Sequence, residues 1–474
     1  MLFNSLHFVA FYLVFLVVFF LIPIRFRWVV LLVASYYFYM TWKWQYISLL
    51  LGLTIINYFL GIFLDKEQSP KPRKYWLVAS VIINVGILFY FKYFNFFLSS
   101  VNSSFSLLGS SINIPRLDIL LPLGISFFIF QKLSYLIEIY YRRFSPEKNF
   151  GMFAVFCSYF PQLIAGPIER PQNLLPQLNN LQPFNYNNGV LGLRLILWGL
   201  FKKVVVADRL CYFANTVFNH PQDYHGLAVI IATIFFSFQI YCDFSGYSDI
   251  ALGTARVMGV ELMKNFNTPY FAKSIKEFWS RWHISLSTWF RDYFYISIGG
   301  NRVSLPRWGF NLFLTFLVSG VWHGASWTFI IWGGIHGLVS ALEAINDKLG
   351  WIKFKFPNIL STLITFSIVA FAWIFFRANS LNDALILINH SIDFSHPFLG
   401  EIKGLEMSYL YNLAIGFPLI ILLLIIESGM KNSYFVDVFH QKQWFRYGCY
   451  VLLCLLVAMF GVFVEQSDFI YFQF

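Results

Sequence analysis

The chain carries little charge for its length. Asp, Glu, Lys and Arg make up 12% of the 474 residues, whereas 58% are hydrophobic and 21% aromatic. Soluble globular domains carry about 25% charged residues, so this composition excludes that class. Residues 3–22, 75–98, 358–376 and 447–464 each supply the roughly 20 apolar residues that cross a hydrocarbon core of about 30 Å as a helix. The sequence therefore predicts a polytopic membrane protein.

The apolar stretches are continuous runs rather than short alternating segments. Continuous runs indicate helices, whereas alternation over about ten residues is typical of outer-membrane barrels. We predict an all-α helical bundle with about ten to twelve spans, accompanied by re-entrant or interfacial helices. No internal repeat or polar linker divides the chain, so residues 1–474 are predicted to form a single domain.

Several signatures of other protein classes are missing. The five cysteines show neither a C-x-x-C pair nor a His/Cys cluster at metal-ligand spacing. No G-x-S-x-G elbow, P-loop or G-x-G-x-x-G fingerprint follows a strand-like segment, which argues against a hydrolase, an NTPase or a dinucleotide enzyme. The net charge of +11 comes from short basic loops that the positive-inside rule explains. We therefore predict no metal, no bound cofactor and no nucleic-acid partner.

The basic residues predict how the chain is oriented in the membrane. The first apolar run has no basic residue before Arg25, so it lacks the start of a secretory signal peptide, and the N-terminus is predicted to lie outside. Uncharged residues 99–115 and the mixed polar residues 378–408 are also predicted to lie outside, as is the C-terminus. The segments predicted to be cytoplasmic are 65–74, 141–148, 201–209, 348–355 and 431–446.

The motif SGVWHGASW, residues 319–327, places His323 within the uncharged run 308–342. One helix over residues 308–347 would measure about 60 Å at about 1.5 Å per residue, twice the thickness of the hydrocarbon core. The helix must therefore break, and irregular backbone at that depth has to be buried in protein or line a cavity. The poor helix-interior residues that predict the break are Gly320, Gly324, Gly333 and Gly334.

Two further segments are unusual for a membrane bundle. Residues 265–302 alternate charges with Trp, Tyr and Phe, which is typical of interfacial or re-entrant helices and places His283 there. The stretch YCDFSGYSDIALG, residues 241–253, puts Asp243 and Asp249 in a mostly apolar helix. Ionisable side chains at such depth are expensive, which makes them candidates for function or for mutual pairing.

Three histidines are candidates for chemistry. An imidazole can take a proton from a hydroxyl and return it, so His323 is either a general base or a packed interior ring. His283 is either a second active-site ring or an interfacial anchor. His336 would lie on a different face of an unbroken helix from His323, which favours packing. Because no carboxylate or cysteine stands at ligand spacing beside these rings, a haem or metal site there is disfavoured.

Histidines without an obvious protein nucleophile favour direct transfer from an activated donor, such as a thioester, to a hydroxyl. An alternative from another class is a transporter or flippase whose buried Asp and His groups form a proton path. Transporters commonly show repeated halves, and this sequence does not.

The chain resembles the membrane-bound O-acyltransferase family, in the bacterial branch that acetylates alginate or peptidoglycan. The motifs that carry the resemblance follow one another between about residues 120 and 340. They are FQKLSYLIEIYYR, FPQLIAGPIERP, DFSGYSDIALG, the segment 265–302, SGVWHGASW and WGGIHG. The ending DFIYFQF also resembles this branch. Such a series in fixed order is highly specific.

The resemblance implies that His323 is the essential histidine and His283 the second active-site position. It places both midway through a helical bundle, where a cytoplasmic tunnel for the acyl donor meets a funnel from the opposite face. The candidates for contacts with substrate are Trp322, Arg281, Arg291, Asp292, Asp243 and Gln131. The charged members of this set could instead form ion pairs that fix helices.

The resemblance also implies acetyl-CoA as the donor substrate and the bacterial inner membrane as the location. It implies an extracytoplasmic acetyltransferase of the SGNH type as partner, or a polysaccharide as acceptor. Basic residues could attract the phosphates of coenzyme A or act only as topology signals: Lys202, Lys203, Arg142, Arg143 and Arg209. Within the family, a D-alanyl transferase that takes its acyl group from a carrier protein is the alternative.

Overall fold

The computed structural model describes residues 1–109, 114–350, 356–430, 443–463 and 469–470. Within these ranges all regular secondary structure is helical and no strand occurs, which confirms the all-α prediction. Three sequence features lie wholly or mostly outside the described residues: Lys353 and Lys355 of the basic loop, segment 431–446, and the ending DFIYFQF.

The described residues form two compact units. The first comprises residues 1–192 and 254–263, and the second comprises residues 193–253 and 264–474. Two helices, Tyr186–Leu200 and Gly226–Val257, contribute residues to both units. The sequence predicted that residues 1–474 form a single domain. The contacts within each unit do not test this, so it stays a prediction.

A buried polar contact joins two apolar helices of the first unit. Asn57 and Asn84 exchange amide hydrogen bonds of 2.8 and 3.2 Å while both are buried, the kind of polar contact that joins helices where water is absent. Its α-helices are Leu6–Leu21, Arg27–Met40, Ile47–Lys66, Pro70–Leu88, Phe94–Leu107, Ile125–Tyr140, Phe150–Ser158, Phe160–Leu163 and Pro171–Asn179.

The second unit contains two π-helical segments, Phe201–Ala207 and Phe290–Tyr295, each continuous with an α-helix. Such wide turns are rare in proteins, and those that occur are often at functional sites. Its α-helices are Asp208–Asn219, Ile275–Arg281, Ile284–Trp289, Leu305–His323, Trp327–Leu349, Asn358–Arg377, Leu381–Ser391, Phe398–Ile402, Met407–Met430 and Gln443–Phe460.

Six helices among the described residues are long and apolar enough to cross a membrane, and two shorter apolar helices accompany them. This agrees with a polytopic helical membrane protein. The larger number of spans and the side on which each loop lies stay predictions. The six are Trp44–Lys66, Pro70–Leu107, Gly226–Val257, Trp327–Leu349, Asn358–Arg377 and Met407–Met430, and the shorter two are Leu6–Leu21 and Arg446–Phe460.

Candidate active site

The SGVWHGASW motif interrupts the helix, as the length of the uncharged run requires. The helix Leu305–His323 ends at His323, and Gly324 continues in extended conformation with φ −161°. Ser326 then caps the next helix, Trp327–Leu349, because its side chain accepts a hydrogen bond from the Thr328 amide. We call these two helices and their connection the His323 hairpin. The predicted break beside His323 is confirmed.

Gly320 and Gly333 pack the two helices of the hairpin together rather than break them. A Cβ atom at Gly320 would lie 2.3 Å from the Phe329 carbonyl oxygen, and one at Gly333 would lie 2.4 Å from the Phe316 oxygen. The prediction that the pair of glycines including Gly334 interrupts the helix was wrong. Helices in lipid approach closely where small residues face each other, so these glycines let the two backbones touch.

His323 is enclosed by aromatic rings. Only 3% of His323 is exposed, and three aromatic rings contact its imidazole at steep angles. Trp322 lies 5.0 Å from it between ring centroids, Trp332 lies 4.9 Å away, and Phe376 lies 5.5 Å away. Edge-to-face contacts of this kind fix a ring's orientation. The imidazole is therefore held in place and shielded from lipid by protein.

The position of His323 at the end of its helix also affects its chemistry. The last carbonyl groups of a helix lack partners within the helix, and they give that end a partial negative charge. His323 lies in the last turn of Leu305–His323. A protonated imidazole there is stabilised by about 0.3–1 kcal/mol, and by up to about 2 kcal/mol when partly buried. The helix end therefore contributes a favourable interaction to the imidazolium that would form when His323 accepts a proton, against the cost of burying that charge.

His283 is held by Asn265. Its Nδ1 lies 3.0 Å from the Asn265 Oδ1, which also accepts from the amide and hydroxyl of Ser285 at 3.3 and 2.9 Å. The Asn265 Nδ2 donates to Ser248 Oγ at 3.2 Å, which fixes which amide atom faces the ring. Because Oδ1 only accepts, Nδ1 carries the proton and the neutral ring keeps its Nε2 lone pair.

The backbone of His283 is left-handed. Its φ of 42° and ψ of 54° place it between the short helices Ile275–Arg281 and Ile284–Trp289. Non-glycine residues adopt this conformation at a cost of about 1–3 kcal/mol, and such residues cluster at functional sites. Sequence reasoning selected His283 but missed Asn265, although the motif NFNTPYF presents that polar side chain ahead of a charged and aromatic segment.

Trp322 lies against both histidines. Its ring centroid is 6.2 Å from that of His283 and 5.0 Å from that of His323. Phe244 closes another side of His283 with an edge contact at 4.7 Å. The structure thus brings together His283, Trp322 and His323, three residues that the sequence singled out, in one buried aromatic enclosure.

His336 belongs to the packing around this enclosure. Its Nδ1 accepts a hydrogen bond from the Trp279 indole at 3.3 Å, and its ring lies 5.0 Å from that of Trp332. Trp332 also contacts His323. These contacts are those of a packed ring, as the sequence predicted for His336, and they support the wall of the enclosure from behind.

The basic segment 201–209 is not a loop. Lys202 and Lys203 are buried in the π-helical segment Phe201–Ala207, where Lys202 Nζ lies 2.6 Å from Asp249 and Lys203 Nζ lies 2.7 Å from Asp243. The prediction of a loop here was wrong, because residues 201–207 are helical, whereas the predicted cytoplasmic side stays a prediction. Each ammonium pairs with an aspartate of the helix Gly226–Val257. Such pairing offsets the cost of removing both charges from water.

Lys203 holds two carboxylates at once. Its Nζ also lies 2.9 Å from Asp208, and the second oxygen of Asp243 accepts from the Ile470 amide at 2.8 Å. Asp243 is thus part of an ion-pair cluster, the alternative role considered for it. Arg209 is partly buried, and its guanidinium donates to the Phe460 carbonyl and to Asn412.

The remaining predicted site residues differ in their surroundings. Arg281 is half-buried and bonds Glu277 at 2.7 Å. Arg291 pairs with its neighbour Asp292 at 2.7 Å, and 61% of the Arg291 side chain is exposed, unlike the two buried histidines. Gln131 belongs to the first unit, and its part in the active site stays a prediction.

Comparison with known proteins adds the family. A family model described as MBOAT, the membrane-bound O-acyltransferase family, matches residues 126–349. The chain is 36% identical to a peptidoglycan O-acetyltransferase of Helicobacter pylori, over 94% of this chain and 91% of that protein. It is 39% identical to a probable alginate O-acetylase AlgI of Pseudomonas syringae pv. tomato, over 86% and 78% of the two chains.

The chain is also similar, at lower identity, to a relative that transfers a different acyl group. The chain is 29% identical to a teichoic acid D-alanyltransferase of Bacillus subtilis, over 55% of this chain and 70% of that protein. The family match begins in the helix Ile125–Tyr140 and ends in the His323 hairpin. With the buried enclosure on a helical membrane scaffold and near-complete alignment to such relatives, the chain belongs to the membrane-bound O-acyltransferase family.

Proposed function

We propose that the protein is an O-acetyltransferase of the bacterial inner membrane, which takes acetyl from cytosolic acetyl-CoA for attachment to a polysaccharide outside. The acetylating relatives align with 94% and 86% of this chain. The observation that carries the proposal is the buried His323 at the end of a helix. The ring of Trp322 contacts both His323 and His283 and so connects the two histidines.

In the proposed reaction His323 acts as the general base. Its imidazole takes the proton of the acceptor hydroxyl while the hydroxyl oxygen attacks the carbonyl carbon of the thioester. The carbon–sulfur bond then breaks, and the departing thiolate takes the proton back from the imidazolium. The products are an acetyl ester and coenzyme A with a free thiol. The end of Leu305–His323 stabilises the transient imidazolium.

His283 positions a substrate in this scheme rather than taking part in covalent chemistry. Asn265 fixes its ring as the Nδ1–H tautomer, so Nε2 can accept a hydrogen bond. A hydrogen-bond acceptor there can orient a hydroxyl toward His323. Holding two reactants in line in this way accounts for a large part of the rate in transfer reactions.

The acceptor outside is a polysaccharide or an extracytoplasmic protein of the SGNH type that passes acetyl to one. The segments predicted to lie outside, 99–115 and 378–408, are short for gripping a polymer, which supports a partner. A D-alanyl transferase is the second candidate, supported by the Bacillus subtilis relative. Alignment over 55% of the chain, against 94% for the peptidoglycan enzyme, favours acetyl.

The test uses the full-length protein in proteoliposomes. Labelled acetyl-CoA or a D-alanyl carrier protein is supplied on one side, and release of the donor thiol and transfer of label to a glycan hydroxyl are measured. We expect thiol release with acetyl-CoA, and loss of that release in His323→Ala. Intact acetyl-CoA accumulating on the far side would indicate a flippase, and thiol release with the D-alanyl carrier alone would indicate the second candidate.

A further inference from the structure

A second group of histidines comes from parts of the sequence that do not include His283 or His323. His225 precedes the helix Gly226–Val257, while His390 lies in the last turn of the helix Leu381–Ser391 and His396 follows in the next loop. The His225 ring is sandwiched between the other two, with centroids 4.0 Å from each and planes within 24° of parallel. We call these rings, together with Asp393 and Glu401, the His225 cluster.

We propose that the His225 cluster binds a divalent first-row transition metal, of which Zn²⁺ is the natural occupant. His225, Asp393 and His396 each present one ligand-type atom, and these three atoms lie within 4.8 Å of one another. Two imidazole nitrogens and a carboxylate oxygen form a ligand set that zinc accepts, with a fourth position for water or another ligand.

The hydrogen bonds of the cluster prepare His225 to ligate. Its Nδ1 lies 3.1 Å from the Glu401 carboxylate, and its backbone amide donates to the same oxygen at 2.8 Å. Histidines that bind metals almost always donate their second ring nitrogen to a carboxylate or a carbonyl. Glu401 thus orients the ring and directs its Nε2 lone pair to the metal.

His390 has a matching arrangement. Its Nδ1 lies 3.1 Å from the Tyr224 carbonyl oxygen, so Nδ1 donates and the ring is held flat against His225. It positions His225 from the side opposite His396. The cluster therefore has two less exposed rings held by hydrogen bonds, and two more exposed groups, Asp393 and His396, whose side chains are 40% and 52% exposed and hydrogen-bond to Ser395.

The backbone brings the two halves of the cluster together before any metal binds. A Cβ atom at Gly226 would lie 2.8 Å from the Asp393 carbonyl oxygen, and Gly226 has φ +46°, so glycine suits this contact on both counts. Ligand atoms around tetrahedral zinc are about 3.3 Å apart, given zinc–nitrogen distances of about 2.0–2.1 Å. The remaining closure requires the exposed Asp393 and His396 side chains to rotate and to exchange their hydrogen bonds with Ser395 for the metal.

The metal would connect the start of a long membrane helix to the loop that follows Leu381–Ser391. Residues 378–408 are predicted to lie outside the cytoplasm, so the site would take its metal from that side. This proposal does not depend on acetyl transfer. The sequence did not reveal the cluster because more than 160 residues separate His225 from its partners.

The test is Zn²⁺ binding by the full-length protein, purified without a histidine tag and stripped of metal with a chelator. Isothermal titration with Zn²⁺ alone gives the stoichiometry, and thermal unfolding gives an independent readout. We expect one zinc per chain and a rise in unfolding temperature on adding zinc. Both should be lost in His225→Ala and in Asp393→Asn, and both should persist in His220→Ala, which removes an exposed histidine nearby in sequence.

Binding that persists in His225→Ala and Asp393→Asn would overturn the proposal, as would the absence of saturable binding by the wild-type protein at micromolar zinc. His396→Ala guards against misfolding as an explanation, because its side chain is 52% exposed and its removal should spare the fold. That variant should unfold at the wild-type temperature without zinc and show no rise with zinc. A zinc-induced rise equal to that of the wild type would contradict the ligand assignment.

Discussion

Two adjacent glycines in the His323 hairpin should respond very differently to one methyl group. A Cβ atom at Gly333 would meet the Phe316 carbonyl oxygen at 2.4 Å, whereas the nearest atoms to a Cβ at Gly334 are 3.9 and 4.0 Å away. The two positions share a helix and a neighbourhood. Gly334→Ala is therefore a matched control for Gly333→Ala.

The magnitude follows from the geometry. A carbon–oxygen contact settles at about 3.3 Å or more, so Gly333→Ala must part the helices by about 0.9 Å. Overpacking of this kind costs about 1–3 kcal/mol. Both variants gain the same helix propensity, about 1 kcal/mol for alanine over glycine, so that gain cancels in the comparison. We expect Gly333→Ala to be less stable than Gly334→Ala by about 1–3 kcal/mol.

Transfer should follow the same order. Gly333 faces Gly320, less than one turn before His323, so displacement of one helix moves the imidazole relative to Trp332 on the other. A misplacement of about 1 Å can cost about 10²-fold in rate. The assay is unfolding temperature in detergent, followed by thiol release from acetyl-CoA per folded molecule. Equal stability of the two alanine variants would refute the packing role assigned to Gly333.

Three further outcomes are expected. His283→Asn should keep measurable transfer where His283→Ala loses most of it, because Asn tolerates the left-handed backbone and can still donate to Asn265; equal loss in both would contradict this. Lys203→Met should lower the free energy of unfolding by about 3–5 kcal/mol, because it strands two buried carboxylates, while the exposed Lys71→Met should change it by less than about 0.5 kcal/mol. A cysteine placed in loop 65–74 should resist an impermeant thiol reagent in intact cells, and labelling there would reverse the predicted orientation.

The sequence predicted the hairpin because length alone forced it. A run twice as long as the hydrocarbon core is thick has to turn, and the uncharged SGVWHGASW motif was the natural place. It did not predict the role of the glycines. Gly320 and Gly333 are poor helix residues in water, but their lack of a side chain is what lets two helices touch. Propensity therefore pointed to a break at Gly333 where packing sustains a helix.

The charged residues show the same limit. Lys202 and Lys203 look like a basic loop when read along the chain, since their partners Asp249 and Asp243 lie 47 and 40 residues away. Only the close approach of the π-helical segment to the helix Gly226–Val257 reveals them as ion pairs. A Cβ at Gly246 would lie 3.1 Å from the Lys203 amide nitrogen, which shows how near these backbones come.

The two histidines were predictable as residues but their arrangement was not. His283 and His323 stood out as ionisable groups in apolar or aromatic surroundings, and the family resemblance paired them. The shared contact with Trp322 and the hydrogen bond that His283 donates to Asn265 depend on the left-handed turn at His283. A backbone conformation of that kind has no reliable signal in a single sequence.

The most direct test of the account is acetyl transfer per folded molecule in His323→Ala. A positioned general base contributes about 10²- to 10⁴-fold, so the variant should lose transfer by that factor while remaining folded in the membrane. His323→Gln, which fills more of the same aromatic enclosure but cannot take up a proton near neutral pH, should lose as much. Near-normal turnover in well-folded His323→Ala would contradict the proposed chemistry.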